Sequence, residues 1–172
     1  MNNVAFHNAG AGFGIYQASH VRLVNNTSFD NVQKDSVICG SEIHISGTDS
    51  IPSNDILLRN NVMAARGPDM RSLNVSYHEA HPPVDVRLDH NLHFHWPETD
   101  EGTRLVGFTW HYASGEEEGV CLNLAEYQDF SFHGISGLGV GAVFASPLLE
   151  NYAAGDFRLQ EGSSAIDGGS AE

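Results

Sequence analysis

Ten histidines stand beside 22 acidic residues in this chain of 172, and several fall where a sheet surface would line them up. In Glu42-Ile43-His44-Ile45-Ser46 polar and apolar residues alternate, and they do so again through Ser72-Leu73-Asn74-Val75-Ser76-Tyr77-His78. That period of two makes each stretch a strand with one face turned inward. On neighbouring parallel strands the outward residues form rows: Glu42 and His44, then Asn74, Ser76 and His78, then Thr109 and His111. Such rows could abstract a proton α to a carboxyl group, which needs a base and a cation or guanidinium to neutralise the carboxylate. His44, His78 and His111 are the candidate bases. Arg71 and Arg104 are the candidate neutralisers, and Glu42, Asn74 and Ser76 the candidate substrate contacts. Ordinary exposed polar side chains would give the same pattern.

Other chemistries find less to work with. Glycoside hydrolysis needs two carboxyl groups across a cleft, and Glu42 is alone on the aligned rows. Asp35, Asp55, Asp69 and Asp85 read as turn residues. His90, His93 and His95, with His81 upstream, suggest a metal, but at strand spacing only His93 and His95 share a face. No metal site is assigned. Ca2+ is the one cofactor the acidic stretches at Asp100-Glu101 and Glu116-Glu117-Glu118 could take, although neither matches an EF-hand loop. Among the aromatics, Tyr77 and Trp110 fall on the inward alternation, which leaves Tyr16 as the candidate sugar-stacking ring.

The elements that must position these residues come from a repeat. Val21-Arg22-Leu23-Val24-Asn25-Asn26, Ile56-Leu57-Leu58-Arg59-Asn60-Asn61 and Val86-Arg87-Leu88-Asp89-His90-Asn91 share one pattern, and Asn2-Asn3 opens the chain with a truncated copy. The asparagines Asn3, Asn26, Asn61 and Asn91 lie 23, 35 and 30 residues apart. Repeats of that length imply stacked coils of short strands. Asparagine suits the corner after each strand, because it tolerates left-handed angles and its amide can bond local backbone. Stacked corners would then form an asparagine ladder.

Here the chain resembles the right-handed parallel β-helix proteins related to pectate lyases. Gly14-Ile15-Tyr16 followed by Ser19 to Thr27 is similar to one of their coils, and Ser146-Pro147-Leu148-Leu149, Ala154 to Leu159 and Gly162 to Gly169 are similar to the closing segment of bacterial secreted members. The resemblance implies an all-β fold, a single-stranded parallel β-helix with coils over residues 1–121 and a C-terminal cap over 122–172. It also implies a carbohydrate-active protein, the C-terminal part of a polysaccharide lyase acting on an acidic glycan, secreted or periplasmic. A non-catalytic carbohydrate-binding module and a structural or assembly segment remain open beside it.

Composition bounds the partners. A formal charge of 8 − 22 = −14 disfavours nucleic acid and anionic membranes. Cys39 and Cys121 form no zinc or redox motif, and they are either one disulfide or two buried thiols. No stretch reaches membrane-spanning length, and no signal-peptide pattern precedes the first repeat. The chain is expected to begin inside a coil, exposing Val4 and Phe6 on an open end that could pair with a second copy. The one expected helix lies at Leu124 to Gln128.

Overall fold

A computed structural model describes residues 1–34, 40–67, 70–81, 84–96, 105–133, 135–166 and 168–169. The acidic stretch at Asp100-Glu101, and Asp35, Cys39, Asp69 and Arg104, lie outside the described residues.

The chain runs through three sheets in turn. Its first circuit is β1 (Val4–Phe6), β2 (Phe13–Tyr16) and β3 (Ser19–Val24). The second is β4 (Thr27–Phe29), β5 (Ser41–Ser46) and β6 (Asn54–Arg59), and the third β7 (Val62–Arg66), β8 (Arg71–His78) and β9 (Val86–Asp89). A fourth opens with β10 (Leu92–Trp96) and β11 (Val106–Tyr112), after which β12 (Gly115–Cys121) folds back on β11. Then come α1 (Leu124–Gln128), β13 (Ser131–Phe132), β14 (Ile135–Ser136), β15 (Val143–Phe144), β16 (Leu149–Asn151) and β17 (Asp156–Leu159). The fold is all-β, and most strand pairs are parallel. β1-β4-β7-β10-β15 form the first sheet, β2-β5-β8-β11 the second with β12 antiparallel at its edge, and β3-β6-β9 the third.

Registry places like residues over like. Ile15, Ile45, Val75 and Phe108 are successive partners across the second sheet, and Ile56 pairs with Val86 and Leu58 with Leu88 in the third. All but Val86 are buried and meet in one core between the sheets. Burying each such side chain is worth roughly 1.5–3 kcal/mol. The alternation expected of Ile43/Ile45 and of Leu73/Val75/Tyr77 is the observed one.

The asparagine ladder forms, with its two tasks divided between neighbours. Asn3 N and Nδ2 each donate to Asn26 Oδ1 at 3.0 Å, Asn26 N and Nδ2 to Asn61 Oδ1 at 3.0 and 2.9 Å, and Asn61 N and Nδ2 to Asn91 Oδ1 at 3.0 Å. The left-handed angle belongs to the residue before: Asn2 (φ 58°), Asn25 (56°), Asn60 (55°) and His90 (49°). One residue turns the corner, and the next ties it to the circuit beside it. A second, shorter ladder joins Asn8 N and Nδ2 to Asn31 Oδ1 at 3.0 and 2.8 Å. Left-handed His7 and Asp30 precede its rungs.

The C-terminal third does more than cap. Tyr127 of α1 is fully buried and meets His93 edge-on at 5.3 Å, while Phe130 stacks on Phe108 at 4.4 Å, so this part closes the end of the core. Residues 146–159 instead lie along the outer face of the first sheet. There Phe157 packs on Phe6 at 4.9 Å, and Tyr152 on Phe29 at 4.7 Å and on Trp96 at 4.9 Å. The expectation for the first strand is corrected accordingly. Val4 is 53% exposed, but Phe6 is covered by Phe29, Phe157 and His7.

Candidate functional site

The outward face of the second sheet holds an open groove of about 530 Å³. Parallel registry builds its floor. Gly14, His44, Asn74 and Gly107 form one row, and Tyr16, Ser46, Ser76 and Thr109 the next. His78 and His111 begin a third. The hairpin from β11 to β12 extends the last two rows, with Glu118 opposite Thr109 and Glu116 opposite His111.

Of the eight candidate residues that the structure describes, seven line this groove: Tyr16, His44, Arg71, Asn74, Ser76, His78 and His111. Arg71 is only 12% exposed at its side chain. Its Nη1 donates to Asn74 Oδ1 at 2.8 Å and its Nη2 to Glu118 Oε1 at 3.0 Å. Asn74 Nδ2 donates to Ser76 Oγ at 3.3 Å and stands 3.5 Å from His44 Nδ1. Burial, with Arg71 and His111 adding to it, lowers the His44 pKa to about 4, so the imidazole is neutral at pH 7. The His78 and His111 rings stack at 4.6 Å, and Nδ1 of His111 is 3.4 Å from Glu116 Oε2. His78 is also held below the usual histidine range, first by burial and then by His111. Tyr16 stands at the rim, 60% exposed. The surface above Gly14 is open, since a β-carbon there would meet nothing within 4 Å.

Glu42 does not join them. It lies outside the core, as alternation requires, but chain passing over it buries it to 1% exposure. Its Oε1 accepts from Asn31 N at 2.8 Å, and its Oε2 from Asn31 Nδ2 at 2.6 Å and Ser28 Oγ at 2.8 Å. These are the bonds that a further asparagine rung would make, so Glu42 ends the second ladder. Desolvation outweighs these hydrogen bonds and raises its pKa to about 7.

Glu116 and Glu118 also line the groove, although no polar–apolar alternation marks them. A run of three glutamates reads as a solvated turn, whereas it forms an edge strand whose odd member, Glu117, points elsewhere, to Tyr112 and His133. The signal was the turn Ala113-Ser114, which returns the chain onto β11. As for calcium, Glu116 and Glu118 already face His111 and Arg71.

His93, His95, Tyr77 and Trp110 have structural places. His93 and His95 share a face, as expected, but it is the buried one. Ser72 Oγ donates to Leu105 O at 2.6 Å, so His93 Nδ1, 2.8 Å from Ser72 Oγ, carries the proton and donates to that hydroxyl. Burial lowers the His93 pKa to about 3. Among the described residues no three His, Cys, Asp or Glu are arranged to hold a metal. Tyr77 and Trp110 are buried in the core. Cys121 is a buried free thiol, and burial pushes its pKa up to about 12.

Compared with known protein families, with curated proteins and with solved structures, the chain matches none.

Proposed function

We propose that the chain is a right-handed parallel β-helix whose second sheet carries a groove for a polysaccharide. The observation that supports this most is the convergence of Tyr16, His44, Asn74, Ser76, His78 and His111 on one groove, an exposed aromatic edge beside rows of hydrogen-bonding side chains. Sugars are bound by that combination, the ring stacking on an apolar sugar face and the polar groups meeting hydroxyls. Three mainly parallel sheets visited in turn, with an asparagine ladder tying successive circuits, support the β-helix reading.

A catalytic reading, the polysaccharide lyase implied by the resemblance to pectate lyases, has one observation in its favour. His44 is in its basic form at neutral pH inside the groove. In that reading His44 takes the proton α to the uronate carboxyl and Arg71 neutralises the carboxylate. Arg71 would first have to leave Glu118, which makes binding without turnover the better supported function.

The test is incubation with a panel of neutral and acidic polysaccharides, recording bound protein, ultraviolet absorbance of unsaturated products and reducing ends. Binding without product is the expected result. Unsaturated product that disappears in His44→Ala would replace it with the lyase, and reducing ends alone with a hydrolase using Glu116 and Glu118. Neither binding nor product would leave a structural segment and end the polysaccharide reading.

A further inference from the structure

The charge of the groove bears on which polysaccharide it accepts. Arg71 is the one guanidinium that lines it among the described residues, and both of its terminal nitrogens are taken, by Asn74 and by Glu118. Two carboxylates line the same space. Glu116 is 61% exposed at its side chain, and Glu118 opens to the groove beside Arg71. Asp49 adds its field at His78. His44 is neutral at pH 7 and does not offset these acids, and burial holds His78 below the usual histidine range. One guanidinium, already paired, therefore faces two groove carboxylates, with Asp49 near His78, on a chain whose formal charge is −14. A polyuronate carries a carboxylate on every sugar and would be repelled along its whole length.

Beside these charges runs an uncharged row, in which Ser76 Oγ already accepts from Asn74 and Ser46 Oγ donates to Gly47 O, each hydroxyl keeping a further hydrogen-bonding site. The Tyr16 ring is exposed, and the space beside it over Gly14 is open. Ser46, Ser76 and Thr109 follow Tyr16 in one row, each the registered partner of the last. Strands about 4.8 Å apart make this row about 14 Å long, close to the length of three sugars in an extended chain. Ligands laid across the strands would meet a hydroxyl at each step.

Resting on the polysaccharide reading above, we propose that the groove takes an uncharged glycan, laid across the strands with one sugar face on Tyr16 and its hydroxyls along Ser46, Ser76 and Thr109, and that it rejects polyuronates. The family resemblance implies an acidic glycan instead, and the two readings make opposite predictions.

Affinity electrophoresis at pH 7 and low salt, with a chelator to prevent cation bridging, decides it. Glucomannan, xylan and mixed-linkage β-glucan are the neutral probes, and polygalacturonate and alginate the acidic ones. The parent protein should be retarded by at least one neutral probe and by neither acidic one. Tyr16→Ala should weaken the neutral interaction by about tenfold, the scale of losing one aromatic anchor, with an unchanged circular dichroism spectrum. Retardation by the acidic probes equal to or greater than by the neutral ones would overturn the proposal while leaving a glycan groove in place. Full retention of affinity in Tyr16→Ala would overturn the placement. No retardation by any probe would overturn this proposal together with the reading on which it rests.

Discussion

Arg71 lies across Gly107, where a β-carbon would stand 2.8 Å from its Cδ and 2.7 Å from Asn74 Oδ1. Gly107 sits mid-strand with no left-handed angle, so space rather than backbone freedom requires glycine there. Gly107→Ala should dislodge Arg71 from Asn74 and Glu118 and cost about 1–3 kcal/mol, the usual penalty of overpacking. Urea unfolding measures the loss. An alanine variant as stable as the parent, with glycan affinity intact, would show that the pair is not seated on this residue.

The division of labour at the corners predicts opposite responses to glycine. Asn25 is left-handed, so Asn25→Gly should be tolerated while Asn25→Ala loses roughly 1–2 kcal/mol. Asn61 is a rung, and removing its amide strands the buried Asn26 N–H. Asn61→Gly and Asn61→Ala should each cost upward of about 2 kcal/mol. Thermal melts of the four variants test the ranking, and glycine proving equally harmless at both positions would refute it.

Glu42 should make stability fall as pH rises. Its pKa is about 7 folded against 4.5 for an ordinary glutamate, so between those values the folded state holds the extra proton. Its contribution is fully present below about pH 4.5, is lost as pH climbs through 7, and changes little beyond. A shift of that size is worth roughly 3 kcal/mol. The carboxyl carbon resonance of Glu42 followed by NMR gives the midpoint directly. Titration near the ordinary value would remove the effect.

His44 acts at the other end of the scale. Its folded pKa of about 4 lies below the ordinary 6.5, so the stability it lends is complete above 6.5 and is lost as pH drops toward 4. Glycan affinity should likewise hold down to roughly pH 5 and then decline as a second positive charge appears beside Arg71. An affinity profile with its midpoint near 6.5 would place the governing histidine elsewhere.

Much of this architecture was legible because its determinants are local and repeated. Asn26, Asn61 and Asn91 announce the ladder, and Ile43/Ile45 or Leu73/Val75 announce the inward face. Period-two patterning says which face a residue takes, but not what later covers that face. Glu42 was misjudged for this reason: Ser28 and Asn31 bury it from outside the core. The course of the tail had a signal that alternation hides. Phe6, Phe29 and Phe94 each stand three residues after a ladder asparagine, on the outer face that the tail covers in part.

That tail reaches residues from several circuits, touching Trp96 in the fourth, Phe29 in the second and Phe6 in the first. A stack held only by nearest neighbours can unravel from either end, one layer at a time. Here one segment touches three layers at once. Opening any of them bares part of the same aromatic surface, so the described layers are expected to melt together rather than one by one.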